Sequence, residues 1–371
     1  MADRPPYRAD QVGSLLRPQA VKDARAAREA GTLDAAGLRA VEDAAIRDAV
    51  AHQCRVGLTG VTDGEFRRAF WHFDFLGQLE GVELRQGERA IQFHGIQTKA
   101  VSIAVTGKVG FGDHPMLADF RFLKQAADAH GAVAKMTIPA PSVLHFRGGR
   151  ASISKDAYPD MDAFFADTAE AYAQAVRAFY DAGCRYLQFD DTVWAYLCSE
   201  KEREAARARG DDPEPLQIAY RDMIRHALAA KPADMTITTH VCRGNFRSSW
   251  ISEGGYEPVA EVLLGQTGYD GFFLEYDTER AGGFEPLRFL AKGDQRVVLG
   301  LVTSKFGELE AEGAIEARIE EATKYVALDQ LCLSPQCGFA STEEGNILSE
   351  DDQWAKLALV TATAKTVWGA A

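Results

Sequence analysis

Short apolar runs recur along the chain, and most of them break off at a polar or reactive side chain. Eight read as strands: 11–14, 58–63, 133–139, 186–190, 235–242, 271–276, 297–302 and 331–335. Between them lie stretches with helical periodicity. In 160–183 the apolar residues Phe165, Ala169, Tyr172, Val176 and Tyr180 fall three or four apart, and Gly183 follows as a stop. In 313–328 Ile315, Ile319, Ala322 and Val326 repeat the stripe, and Ser349 with Asp352 forms a capping-box start for a last helix through Trp354, Leu357 and Val360. Strands alternating with amphipathic helices predict βα units and a parallel sheet, and eight of them predict a closed (β/α)8 TIM barrel forming one domain over residues 1–371.

Two segments exceed that plan. Residues 19–55 are Ala-rich and read as an N-terminal helical segment, longer than one crossover needs. Residues 84–112 alternate apolar and polar positions through Ile91, Phe93, Ile96, Val101, Ile103 and Val105, which predicts a β-excursion inserted after the second strand and placed over the barrel mouth. Residues 200–215, charged and containing Gly210, Pro213 and Pro215, read as a solvated helix end and loop.

Composition narrows the class. With 46% hydrophobic and 26% charged residues the chain is ordinary for a globular protein with a large core, and net −13 argues against nucleic acid or an anionic membrane as partner. No stretch approaches the roughly 20 apolar residues of a membrane helix, and residues 1–14 carry no signal-peptide core, so a cytoplasmic location is expected. Six cysteines in 371 residues are too sparse for a disulfide scaffold. Each is then a packing residue or a metal or redox ligand.

The segment THVCRGNF at 239–246 places His240 and Cys242 two apart at the end of a β-branched run, on one side of an extended chain. By itself that pair is a core cysteine beside a strand-end histidine. Glu275, closing GFFLEYD, and Cys337, just beyond LCLSP, also fall at strand ends. All four therefore converge on the C-terminal face where barrels place active sites, as a His, Cys, Cys zinc site with a weaker carboxylate ligand.

A second group shares that rim. QVGS supplies Gly13 and Ser14, TDGEF supplies Asp63 and Glu65, and QFDD supplies Asp190 and Asp191. These acids suit three roles: a glycosidase acid/base couple, a clamp for a substrate ammonium, or, for Asp63 and Asp191 above all, helix caps. The aromatic stretch AFWHFDF (69–75) and Trp194 read as core, with covering a planar ligand as the alternative. Arg17 is a candidate fork for a carboxylate. His52, His94, His114, His130 and His226 have no partner at metal spacing and read as surface or loop residues.

Zinc held by two thiolates and an imidazole, with an exchangeable fourth position, deprotonates a bound thiol at neutral pH and leaves it nucleophilic. That predicts thiol S-alkylation, with Glu275 as a ligand that yields to the substrate sulfur. Glu65 and Asp190 then have an ammonium to hold, and Gly13 and Ser14 a carboxylate. Homocysteine carries both groups.

At these residues the chain resembles a known family. QVGSLLRP (11–18), GLTGVTDGEFRR (57–68), MTIPAPSVL (136–144), AGCRYLQFDD (182–191), TTHVCRGNF (238–246), GFFLEYD (271–277) and LSPQCGF (333–339) resemble, in order, the catalytic C-terminal barrel of the cobalamin-independent methionine synthases, in particular the short single-barrel members. The resemblance implies zinc on His240, Cys242, Glu275 and Cys337, and homocysteine held by Gly13, Ser14, Glu65 and Asp190, with Glu65 and Asp190 at the reacting centre. It implies methyl transfer from a methyltetrahydrofolate-type donor. The sequence departs from the family in three ways. There is no room for the additional N-terminal barrel of full-length enzymes. The strand-seven histidine that serves the family as general acid falls within 299–308, where Thr303 stands, with Lys305 beside it as the replacement donor considered. The tryptophan expected against the folate corresponds to Phe146. Other readings stay open: another thiol or donor (a methylcorrinoid, a small methylated compound, or an epoxide as in the related epoxyalkane:coenzyme M transferases), a metal-free glycoside hydrolase, and a non-enzymatic zinc-stabilised barrel.

Overall fold

The structure is a computed structural model that describes residues 4–86 and 91–369. Seven parallel strands form one sheet in chain order: β1 (Gly60–Val61), β2 (Val133–Pro139), β3 (Tyr186–Asp190), β4 (Thr236–Val241), β5 (Gly271–Glu275), β6 (Arg296–Val302) and β7 (Leu331–Pro335). β2, β3, β5 and β7 are buried almost end to end, as strands covered on both faces by crossover helices must be. The architecture is α/β and TIM-barrel-like.

The segment 11–14, expected as a regular strand, is not one. Residues 9–14 instead lie between the two edge strands, held by two isolated parallel bridges, Ala9 to Leu333 in β7 and Ser14 to Gly64 just past β1. The reason is local. The Asp10 carboxylate accepts from the main-chain N–H groups of Tyr7 (3.0 Å) and Gln11 (2.8 Å), which removes two donors from any ladder. Gly13 then takes φ 151°, where an added Cβ would meet Thr137 Cγ2 at 2.6 Å. β1 is short for a related reason, since the Thr62 N–H donates to the Gln53 side chain (2.9 Å) and not to a neighbouring strand.

Side chains inside the ring of strands complete the join. Lys135 Nζ, with no solvent exposure, donates to Asp10 Oδ1 (3.1 Å) and to the Gln11 carbonyl (2.5 Å), and lies 4.0 Å from the Phe273 ring centroid. Tyr186 donates its hydroxyl to Asp10 Oδ2 (2.8 Å), and Gln188 Nε2 donates to the Val12 carbonyl (2.7 Å).

The helices follow the sequence signals with two corrections. The segment 19–55 is two helices, Gln19–Glu29 and Ala35–Arg55, the second capped by Asp34 through the Gly37 N–H (2.7 Å). The segment 200–215 is more ordered than its prolines suggest. Glu200–Ala208 is helical, and Pro213 opens Pro213–Ala229 at a first-turn position, where a missing N–H costs nothing. The capping box of Ser349 and Asp352 starts Glu350–Trp368.

Within 84–112, Glu80–Gln86 pairs antiparallel with Val101–Gly110, and Gln92–Phe93 with Ile96–Gln97; residues 87–90 of that stretch lie outside the described residues. The tip is fastened to the loop after β4, where the His94 N–H donates to the Trp250 carbonyl (2.9 Å) and Ser249 Oγ to the His94 carbonyl (2.6 Å). Among the described residues no helix is long and apolar enough to cross a membrane.

Removing one partner of a buried ion pair strands the other charge, at a cost of about 3–5 kcal/mol. Lys135→Met is therefore expected to lower the free energy of urea unfolding by about 3 kcal/mol, with Asp10→Asn in the same chain restoring part of it. A loss below about 1 kcal/mol for the single variant would show that the pair does not hold the N-terminal segment in place.

Candidate active site

Three strand ends deliver the four reactive side chains. His240 lies within β4 and Cys242 just beyond it, Glu275 closes β5, and Cys337 follows β7. Their ligand atoms all lie within 4.8 Å of one another, and all four residues are buried. The two sulfurs are 3.3 Å apart, well beyond the roughly 2.05 Å of a disulfide, so they face each other as two thiols. The hydrogen bond between them pushes the Cys242 pKa well above the usual thiol range and draws that of Cys337 well below it.

Outside the four residues themselves, most of the remaining ligand atoms lack partners. Neither ring nitrogen of His240 has a hydrogen-bond partner, and of the Glu275 oxygens Oε1 accepts from the Arg243 N–H (2.8 Å) while Oε2 has none. Buried polar atoms are rarely left so, because each costs about 1–3 kcal/mol. Soft sulfur, imidazole and one free carboxylate oxygen converging in this way are a donor set for a thiophilic divalent metal.

The second group stands beside it. Glu65 has a left-handed backbone, φ 59°, unusual for a residue with a side chain. Asp63 Oδ1 accepts its N–H (2.8 Å) and so shapes that turn. Glu65 Oε1 accepts from Thr137 Oγ1 (2.8 Å) and lies 3.3 Å from Arg68 Nη1, while Oε2 is buried without a partner. Burial raises the Glu65 pKa, opposed by Arg68 and Arg17. Asp190 accepts from Gln188 Nε2 (2.7 Å), and burial lifts it to about 7 against the pull of His240. Ser14 lines the same cleft with Glu65, Asp190, His240, Cys242 and Cys337. Gly13 supplies the turn that brings it there. Gly338 is equally constrained, since a Cβ on it would fall 2.0 Å from Ser14 Oγ.

Other candidates take structural positions. Asp191 accepts from Ser142 Oγ (2.8 Å) and from the Val193 N–H (2.9 Å), a first-turn donor of the short helix Val193–Leu197, whose N-cap position is Thr192. Arg17 is no fork for a substrate: its buried guanidinium donates to the carbonyls of Leu15 (2.9 Å), Ala340 (2.8 Å) and Arg68 (3.2 Å), bolting the first segment to its neighbours. His114, expected at the surface or in a loop, lies in the loop before Met116–Asp128 but is buried, 3.1 Å from the Phe75 carbonyl.

A second cavity of about 550 Å³ adjoins the cleft. His72, Arg147 and Tyr196 line both spaces, and Arg147 joins them, with Nη1 3.3 Å from His72 Nε2 and Nη2 donating to the Tyr196 hydroxyl (2.9 Å). Phe146 lines the larger cavity and not the cleft, stacked on Tyr196 at 5.6 Å between centroids with Arg209 over its ring. Arg147, Tyr196 and Asn245 were not singled out by the sequence reading. Asn245 lay in plain view within THVCRGNF, whereas Arg147 and Tyr196 sit on or just past one-turn helices that leave no periodic signal. Thr303 is turned to a local task, its N–H donating to Glu310 (2.7 Å).

With this geometry in hand, comparison with known proteins is informative. The family described as "Cobalamin-independent synthase, Catalytic domain" matches residues 8–353. Two Bacillus subtilis (strain 168) proteins, YxjG and YxjH, both named as uncharacterized, are 54% and 53% identical to this chain, over 98% of it in each case and over 96% and 95% of their own lengths. A Listeria monocytogenes crystal structure with the provisional designation of a vitamin-B12 independent methionine synthase is 47% identical, with TM-score 0.81 and 98% of each chain covered. A B12-independent methionine synthase from Shewanella sp. W3-18-1, solved with selenomethionine, shares the fold at 18% identity, TM-score 0.71 and 97% of each chain.

An acid-sensitive group neighbours the cavity-lining Phe146. His145, beside Phe146, is 2.7 Å from the Tyr220 hydroxyl through Nδ1, and burial, helped by Arg209, lowers its pKa from 6.5 to about 4. The unfolded chain binds this proton below about pH 6.5 and the folded one only near pH 4, so the stability the neutral ring contributes is lost as pH falls through that window. Between pH 7 and pH 4 the unfolding free energy of the parent protein is expected to fall by roughly 3 kcal/mol more than that of His145→Gln. Parallel pH curves for the two would refute it.

Proposed function

The chain belongs to the cobalamin-independent synthase family, carrying its catalytic domain, and from that premise we propose that this methyltransferase uses zinc to methylate homocysteine to methionine with a methyltetrahydrofolate-type donor. The observation that carries the reading is the convergence of His240, Cys242, Glu275 and Cys337, with the His240 ring nitrogens and one Glu275 oxygen lacking partners outside that set. Zinc on that set would supply one thing, a substrate thiol held as thiolate at neutral pH.

The chain's own residues do the rest. Glu65 and Asp190 receive the substrate ammonium, Glu65 through its unpartnered Oε2 and Asp190 in an orientation fixed by Gln188. An incoming ammonium offsets the burial that raises both acids and favours their ionised forms. Ser14 and the backbone at Gly13 receive the carboxylate. The amino acid is thereby oriented with its sulfur toward the metal ligands. The new S–CH₃ bond forms as the donor's N–CH₃ bond breaks, and the donor nitrogen takes up a proton.

The adjoining cavity suits the donor. Its volume lies within the usual range for one small ligand, its wall offers the Phe146–Tyr196 stack to a planar ring, and Arg147, Lys201 and Arg209 offer positive charge to carboxylates. This favours a folate-type donor over a protein-borne corrinoid. We place the enzyme in a reducing cytoplasm, where both thiols stay free, working as one barrel domain over 1–371.

Purified protein is expected to carry about one zinc per chain, lost in Cys242→Ser and in Cys337→Ser. It should form methionine from homocysteine and mono- or polyglutamylated methyltetrahydrofolate. Zinc-replete protein that turns over methylcobalamin, a small methylated compound or an epoxide in place of the folates would reassign the donor, and a fully active metal-free protein would overturn the reading. Glu65→Gln is expected to raise KM for homocysteine by about 10- to 100-fold, as loss of a charged hydrogen bond implies, while zinc content is unchanged. An unaltered KM would remove Glu65 from the ammonium site.

A further inference from the structure

Three loops meet beside the sulfurs: those after β4, after β6 and after β7. Loops drift unless something ties them, and a metal site tolerates little drift. Lys305, on the loop after β6, is buried, which for a lysine demands compensation. Its ammonium donates to the Gly244 carbonyl (3.2 Å), Asn245 Oδ1 (3.2 Å) and the Ser249 carbonyl (3.4 Å), all on the loop that follows Cys242.

Asn245 carries the connection onward. Its Nδ2 donates to the carbonyl of Gly338 (2.6 Å), the residue next to Cys337, and its Oδ1 also accepts from Asn346 Nδ2 (2.9 Å). Asn346 donates in turn to the Ser304 carbonyl (2.8 Å) and accepts the Ser248 N–H (2.9 Å), while Ser248 Oγ donates to the Lys305 carbonyl (2.6 Å). The chain of bonds thus runs from two residues past one cysteine to one residue past the other.

Two consequences follow. All three protons of the ammonium have acceptors in the protein, so Lys305 has none free for a departing nitrogen, and the role of replacement acid considered from the sequence does not fit. Its charge also acts on Cys242, Cys337 and Glu275. Two thiolates and a carboxylate bring three negative charges to a divalent ion, and a fixed cation beside them offsets the remaining one where water cannot.

We propose that Lys305 and Asn245 are positioning residues for the metal centre, locking the Cys242 and Cys337 loops at one separation while Lys305 balances the charge of the ligand set. This rests on the zinc reading above.

The test uses the full chain with three substitutions, Lys305→Met, Asn245→Ala and Lys305→Arg. Zinc affinity is measured by chelator competition, and the cobalt-substituted proteins are compared by their thiolate-to-metal absorption. Lys305→Met and Asn245→Ala are expected to bind zinc about 10- to 100-fold more weakly and to shift the cobalt band, and Lys305→Arg, which keeps the charge, to recover most of the affinity. Should Lys305→Met fail to fold, Asn245→Ala, which keeps the ammonium, decides by the same measures. Zinc held within about twofold of the parent by Lys305→Met or, in its place, Asn245→Ala, with an unmoved cobalt band, overturns the proposal. Absence of tight zinc in the parent protein overturns instead the metal reading on which it stands.

Discussion

Lys135 and Asp10 face each other inside the ring of strands with no access to water, and much of the molecule depends on that contact. Each charge alone would be costly there, so the pair persists only with its other lone pairs and protons occupied, by Tyr186, by the Tyr7 and Gln11 N–H groups and by the Gln11 carbonyl. In satisfying Asp10, the N-terminal segment gives up regular strand pairing and is held by side chains. Three and four residues further on come Gly13 and Ser14. The position of Ser14 at the cleft therefore follows from an ion pair on strand β2 as much as from its own neighbours.

Charge organises the mouth of the barrel as well. Glu65, Asp190 and Glu275 are all buried acids, and each is raised by desolvation and pulled back by a different cation or imidazole: Arg68 for Glu65, His240 for Asp190, Lys305 for Glu275. Arg17, spent on main-chain carbonyls, holds the loops that carry the first of these. The result is a cleft whose negative charge is maintained by fixed positive charges behind it. On the proposed reading, an amino acid with a free ammonium and a thiol completes what those acids and sulfurs lack.

The larger cavity has the opposite sign, with arginine and lysine side chains on an otherwise acidic protein. Arg147 stands on the boundary and binds both His72 and Tyr196, so the wall between the two spaces is itself hydrogen-bonded. The fastening of the 91–98 tip to the loop after β4 then ties one wall of the larger cavity to the same loop that supplies Cys242.

Periodicity and strand-end chemistry alone determined the α/β class, the positions of the sheet strands, the capped last helix and the four residues brought together as a donor set, because each of these is a local pattern: an apolar run, a 3.6-residue stripe, a reactive residue where the run stops. The family resemblance of the quoted blocks was legible in the same way. Tertiary structure decided what local pattern cannot carry. Residues 11–14 have the composition of a strand, yet Asp10 takes the Gln11 N–H; Pro213 looks like a breaker, yet it opens a helix; Arg17 looks free, yet four carbonyls claim it. Whether Lys305 offers a proton or pins a loop depends on acceptors some sixty residues away in the chain, at Gly244, Asn245 and Ser249. Those distances are set by closure of the fold, and no spacing along the chain encodes them.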